Sequence, residues 1–191
     1  MDPSEPAAQA HSLAVITDVV RRYAVDGIHV DDYFYPYQVK DSKGKTLDFP
    51  DDASWKSYKG KMTRADWRRD HINRFIQRMY SEVKKIRPWV KVGISPFGIW
   101  RPGYPKTIKG LDAYDTLYAD ARKWLNNGWL DYCAPQLYWS IESPGQSYPK
   151  LLKWWVSENK KRRHLWIGNN SAKVNPWKAD EIIKQISLTR N

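Results

Sequence analysis

A single cysteine, Cys133, stands in a chain of 191 residues. No intrachain disulfide can form, and the redox compartment stays unstated. No apolar run approaches the roughly 18 residues of a membrane-spanning helix. The opening stretch, MDPSEPAAQAHS, lacks both the basic head and the apolar core of a secretory leader. The expectation is a cytoplasmic chain, or a piece whose targeting segment lies elsewhere. No glycine-rich phosphate loop and no Ser/His/Asp order stands out. His11, His71 and His164 are scattered, which argues against a metal site. Neither a metal nor an organic cofactor is expected.

What the chain does have is aromatic bulk and positive charge. There are 11 tryptophans and 12 tyrosines, which calls for a heavy core or an aromatic binding cleft. The formal net charge is +11, which favours anionic partners. The basic residues concentrate in RRY, RADWRRD, KKIRP and ENKKRRH. Solvated helix faces account for most of that.

The order of elements is regular. Leu13, Ile16, Val20 and Tyr23 recur at helical spacing, so residues 5–23 are expected to form an amphipathic helix. Residues 25–31 then read as a short strand, and 32–62 as a long polar, aromatic-rich loop. Thr63 with Asp66 resembles a capping box. The stripe Ile72, Phe75, Ile76, Met79, Val83 and Ile86 marks a second helix, stopped before Pro88. A strand at 89–95, a Gly/Pro-rich loop, a helix at about 112–127 and a strand at 130–138 follow. A helix at about 148–161 leads to a strand at 164–168. Asn175 and Pro176 open a last helix.

Strict alternation with long crossovers predicts a parallel sheet. The elaborate loops follow strands, and the returns from helix to strand are short. Both a (β/α) barrel and a doubly wound sheet show that asymmetry. About four strands are present, where a closed barrel needs eight. The fold class expected is α/β, a partial (β/α) TIM-type barrel with outer helices. Residues 1–191 would be one domain, cut at both ends. The alternative is a small open sheet complete in itself.

The segment DGIHVDDYFYP places two carboxylates, Asp31 and Asp32, at the end of the first strand. An ionised carboxylate out of water costs several kcal/mol unless paired, so the position needs a reason. Side chains alternate along a strand, so His29 and Asp31 share a face. At the carboxyl mouth of a barrel, where barrel chemistry is done, a carboxylate can act as nucleophile, base or acid. Asp31 is the first candidate for nucleophile or base. Asp32 is its support, or the acid if the turn swings it inward. Glu142, after QLYWSI, is a candidate second carboxylate. The bland reading is that Asp31 or Asp32 caps the next segment or pairs with a base.

Several strand ends offer candidate ligand contacts. They are Tyr33, Tyr35 and Tyr37 after the first strand, and Ser95, Phe97, Trp100 and Arg101 after the second. Gln136, Tyr138 and Trp139 close the third; Asn169 and Asn170 close the fourth. Core filling is the competing explanation, and it is preferred for Trp89, Trp124, Trp154 and Trp155. His29 is equally well a satisfied core imidazole.

The motifs VDGIHVDDYFYP, DFPDDASW, ADWRRDHINRF, KVGISPFGIWR, YADARKWLNNGWLDYCAPQLYWSI and IGNN together resemble the bacterial glycosyl hydrolase-like 10 family. The resemblance runs from Asp2 to about Asn170. It implies a TIM-type barrel and an envelope-associated glycosidase. It further implies a polysaccharide substrate, such as peptidoglycan glycan stripped of its peptides, and a periplasmic or cell-envelope location. The Gly-x-x-x-Asp spacing of Gly27 and Asp31 is similar to the nucleophile strand of several barrel glycosidases. Glycoside hydrolysis generally uses two carboxyl groups across the scissile bond, so the resemblance implies that role for Asp31, with Asp32 or Glu142 as the second or a partner outside this chain. It also implies sugar contacts at the strand ends, where aromatic faces stack on pyranose rings and amides or guanidinium groups read hydroxyls and carboxylates. The family's LDP segment corresponds to Met1-Asp2-Pro3, so the strands before it and a final strand are expected outside this chain. Self-association is then expected of the exposed sheet edges. A non-catalytic carbohydrate-binding remnant is one rival reading, distinguished only by lack of turnover. A basic nucleic-acid-binding protein is the other. No recognised module supports it, and loops rich in Asp repel phosphate.

Overall fold

The computed structural model describes residues 2–173, 177–178 and 180–190. Helix α1 runs Pro6–Arg22, with Pro6 at its first turn and Leu13, Thr17 and Val20 buried on one face. Strand β1 is Gly27–Val30. The long loop that follows contains a short helix α2, Asp52–Ser57. It also contains an antiparallel bridge, Lys40 to Thr46, around a turn in which the Asp41 carboxylate accepts from the Lys43 and Lys45 amides. Neither was expected from the sequence.

Helix α3, Arg64–Ile86, starts where Thr63 accepts from the Asp66 amide and ends before Pro88. Ile72, Ile76, Met79 and Val83 form its buried stripe. Strand β2 is Lys91–Ile94. The single helix expected over 112–127 is two helices, α4 at Ala113–Thr116 and α5 at Ala121–Asn127. Each has its own N-cap: Asp112 accepts from the Asp115 amide, and Asp120 from the Lys123 amide. Tyr118 between them takes a left-handed φ of 52°, which no continuous helix accommodates. Gly128, at φ 72°, ends α5.

Strand β3 is Tyr132–Cys133, α6 is Tyr148–Glu158 and β4 is His164–Leu165. A 3-10 turn at Ser171–Lys173 precedes α7, Glu181–Arg190. The helix start expected at Asn175 and Pro176 lies outside the described residues. All four strands are shorter than expected. Pro96 and Pro135 have no N–H to donate, so the regular ladder stops near them. Contact between neighbouring strand segments continues through single bridges, Phe97 to Gln136 and Gln136 to Gly168.

The sheet order is β1-β2-β3-β4, parallel throughout. Register puts His29, Gly93, Tyr132 and His164 in one row. Val30, Ile94, Cys133 and Leu165 form the next row, on the opposite face. Val92, Ile94 and Cys133 are fully buried in the core with α3, α5 and α6. Successive helices touch: α1 on α3, α3 on α5, α5 on α6, α6 on α7. A doubly wound sheet reverses its strand order and carries helices on both faces. Here the order never reverses, and the helices form one outer layer. The architecture is α/β, a sector of a TIM-type barrel.

Candidate active site

The carboxyl ends of the parallel strands meet at one rim. Asp31 leaves β1 on the same face as His29. Its exposed carboxylate accepts from the Gln136 amide at 2.8 Å and from the Asp32 backbone N–H at 2.8 Å. Gln136 also donates to the Ser95 carbonyl at 3.0 Å. The Ser95 hydroxyl in turn donates to the Ala134 carbonyl at 2.9 Å. One amide therefore locks together the ends of β1, β2 and β3, and it aims Asp31 by doing so.

Asp32 faces the other way and is only 4% exposed. Its carboxylate accepts the Tyr37 hydroxyl. Burial pushes the Asp32 carboxyl above its usual range; the Tyr37 hydrogen bond opposes this, and the neighbouring Asp31 charge adds to it. Burial, and then Asp32, pushes the Tyr37 phenol up in turn. The Tyr138 phenol is raised by burial first and then by Asp31 and Asp32, so its ring stands within the field of both. Two adjacent aspartates thus meet different surroundings. One is exposed and held by an amide; the other is buried and held by a phenol.

Under Asp31 lies an aromatic row of which only His29 was named from the sequence. His29 stacks on Tyr132 at 5.6 Å, and its Nδ1 lies 3.0 Å from the Tyr132 hydroxyl. Tyr132 meets Trp166 at 4.3 Å, and Trp166 is 55% exposed. Gly93 permits this: a Cβ there would lie 1.8 Å from the Tyr132 ring. The signal was present in the two-residue period of three separate strands, but only register brings the three rings together.

The other expected contacts divide. Tyr33 is exposed and packs edge-on to Tyr37 at 5.7 Å. Phe97 and Trp139 meet edge-to-face at 5.6 Å, both half-buried at the rim. Asn169 accepts from the Tyr148 hydroxyl at 3.1 Å, and the Asn170 side chain accepts from the Ala172 amide at 3.1 Å.

Tyr35, Trp100 and Arg101 have other partners, and none of the hydrogen bonds described for them reaches Asp31 or Asp32. Tyr35 is 1% exposed, packed on Phe49 and Tyr118. Trp100 is buried, stacks on Trp154 and donates to Asp120. Arg101 is held by Asp112 and Asp115 over the Tyr114 ring. Core packing and ion pairing occupy all three. Glu142 is exposed and lines a separate cavity with Trp177, Lys178 and Glu181. Neither Asp31 nor Asp32 lines that cavity.

The long loop is pinned to α3 by buried charge. The Asp51 carboxylate is fully buried and accepts from Arg68 at 2.6 and 2.7 Å and from Arg64. Arg68 also reaches Asp48 at 2.8 Å and the Tyr118 hydroxyl at 2.6 Å. Burial alone would push the Asp51 carboxyl up; the two arginines overcome it and hold it below its usual range. Tyr37 is thereby carried on a loop that is fixed from behind. Among the described residues, no group of three or more His, Cys, Asp or Glu could hold a metal ion. No helix among them is long and apolar enough to cross a membrane.

An exposed carboxylate at a barrel rim, with aromatic rings beside it, is an arrangement able to act on sugars. The comparisons agree at the level of family. The family described as Glycosyl hydrolase-like 10 matches residues 1–184. The protein called Glycosyl hydrolase YngK, from Bacillus subtilis (strain 168), is 40% identical over 203 residues, covering 98% of this chain and 39% of the relative. Glycosyl hydrolase DigH from Escherichia coli (strain K12) is 38% identical over 174 residues, covering 88% of this chain and 38% of the relative. The chain thus spans about two fifths of the length of these curated relatives. With a sheet of barrel order, the rim carboxylate and a family match over nearly its whole length, the chain belongs to the glycosyl hydrolase-like 10 family.

Proposed function

We propose that this chain supplies the rim of a glycoside hydrolase acting on a bacterial envelope polysaccharide, with peptide-free peptidoglycan glycan as the first candidate. Its place of action would be the cell envelope. The four strands would be a sector of an eight-stranded barrel, in keeping with the share of the relatives that the chain spans. Asp31 is the working carboxylate. As nucleophile it attacks the anomeric carbon while the leaving oxygen takes a proton from a second carboxyl group; as base it takes a proton from the attacking water. Asp32 keeps its proton more readily than an exposed aspartate does, because it is buried. Its first role is to fix Tyr37 and the turn behind Asp31.

The observation that carries this reading is the Asp31–Gln136 hydrogen bond across the rim. It holds an exposed carboxylate in one orientation, as catalysis requires. Tyr33, Phe97, Tyr138 and Trp139 are the candidate stacking surfaces. The test is release of reducing ends from peptide-free peptidoglycan glycan, compared between the parent and Asp31→Asn.

A non-catalytic carbohydrate-binding role is the second reading. The placement of Glu142 in a separate cavity favours it, because it leaves Asp31 as the exposed candidate carboxylate of the rim. Tight glycan binding with no cleavage, in a polypeptide carrying the whole barrel, would select it.

A further inference from the structure

The opposite end of the sheet carries a second surface. Because the strands are parallel, the turns leading into β1, β2, β3 and β4 all lie at the amino end, away from Asp31. Two large aromatics are exposed there. Tyr23, in the turn before β1, is 59% exposed, and Trp89, in the turn before β2, is 67% exposed. The two turns are tied together. The Arg87 guanidinium donates to the Tyr23 carbonyl at 2.6 Å and to the Arg21 carbonyl at 2.9 Å. Tyr23 and Trp89 therefore sit on one braced surface, not on two independent loops.

The charge of this end is one-sided. Residues 21–26, 84–91, 127–131 and 158–163 contain ten Lys and Arg against three Asp and Glu, so its field is strongly positive. Two of the three acids are engaged: Asp131 with Lys84, and Glu158 with Arg122. Arg21, Arg22, Lys85 and Lys91 are exposed and flank the aromatic pair. Arg22 and Lys85 also make surface pairs, with Asp18 and Glu82, which are worth little in water.

Exposed Trp and Tyr set among Lys and Arg fit the interfacial zone of an anionic bilayer. The rings enter the headgroup layer, and the cations meet lipid phosphates. A polysaccharide chain would instead call for a groove, and neither Tyr23 nor Trp89 lines a described cavity. We propose that the amino-end turns carrying Tyr23 and Trp89 are a docking surface for an anionic lipid membrane, which leaves the Asp31 rim facing away from the bilayer. The proposal does not depend on the glycosidase reading, because membrane binding needs no turnover.

The test is co-sedimentation of the full chain with vesicles. One set is phosphatidylcholine alone; the other has equal parts phosphatidylglycerol. Binding to the anionic vesicles is expected, with little to the neutral ones, and it should weaken as salt is raised. Trp89→Ala should weaken it about tenfold, through lost apolar burial. Lys85→Gln and Lys91→Gln should each weaken it about fivefold. Lys43→Gln and Lys45→Gln, in the loop after β1, should leave it unchanged. All of these side chains are exposed, so each variant should keep the parent's circular dichroism. Equal binding to neutral vesicles, or no binding to either, overturns the proposal. So does binding to soluble polyphosphate as tight as to vesicles with Trp89→Ala unaffected, since that identifies an anionic polymer as the partner.

Discussion

Among the described residues the Tyr37 hydroxyl donates to Asp32, and burial, then Asp32, pushes the Tyr37 phenol up in return. Tyr37→Phe should therefore raise the Asp32 carboxyl further above its ordinary value of 3.8. Carbon-13 titration of the aspartate side chains reads this directly. An unmoved Asp32 midpoint would show that the phenol does not hold it. The loss of a buried donor should also cost about 1 kcal/mol of stability. The sign of the pH dependence follows from the upward shift. Asp32 contributes stability that is complete below its unfolded value and is lost as pH rises through its folded value. Asp32→Asn should flatten that part of the pH profile. Asp51 works the other way. Its carboxyl is held low, so its contribution is complete above the unfolded value and is lost as pH falls. Arg68→Met should leave Asp51 buried with Arg64 and the Tyr35 hydroxyl as its remaining partners, costing about 3 kcal/mol in urea unfolding. A change under half that would mean these remaining partners compensate. Asp31 and Asp32 were legible in the sequence as a charged pair ending an apolar run. Their separation into exposed and buried was not, because it depends on Tyr37 and Gln136, which lie five and 105 residues from their partners.

At the scale of elements, β2 carries a constraint that single residues do not show. Gly93 lies beneath the Tyr132 ring, which reaches across it to His29. Gly93→Ala should displace Tyr132 and cost about 1–3 kcal/mol. In a Tyr132→Ala background the same change should cost less, since the clash is gone. Equal costs in both backgrounds would remove Tyr132 as the reason for the glycine. The expected long helix over 112–127 failed for a related cause. Its apolar spacing, with Leu117, Ala121 and Trp124 all buried, suits one helix. The two caps, Asp112 and Asp120, start two, and Tyr118 turns the chain between them. Capping side chains only eight residues apart outweigh the periodicity. Strand positions were legible from their apolar cores. Their ends were not, because Pro96 and Pro135 break the ladder without breaking the path of the chain.

The whole molecule has an open side. The row His29, Tyr132 and Trp166 faces away from the helices, with His29, His164 and Trp166 exposed. β1 and β4 are unpaired at the two edges among the described residues. Such edges and faces favour association. The chain alone should therefore sediment as a concentration-dependent dimer or larger species. A stable, cooperatively folding monomer would argue for a complete small domain in place of a barrel sector. The most direct measurement is reducing-end release from peptide-free peptidoglycan glycan. It uses a polypeptide that carries the whole barrel around residues 2–190, as parent and as Asp31→Asn, with circular dichroism as the folding control. The amide is nearly isosteric with the carboxylate but cannot serve as anionic nucleophile or base. The account predicts cleavage by the parent and a rate at least about 100-fold lower in Asp31→Asn, with glycan binding kept. Turnover by Asp31→Asn at the parent's rate would contradict it.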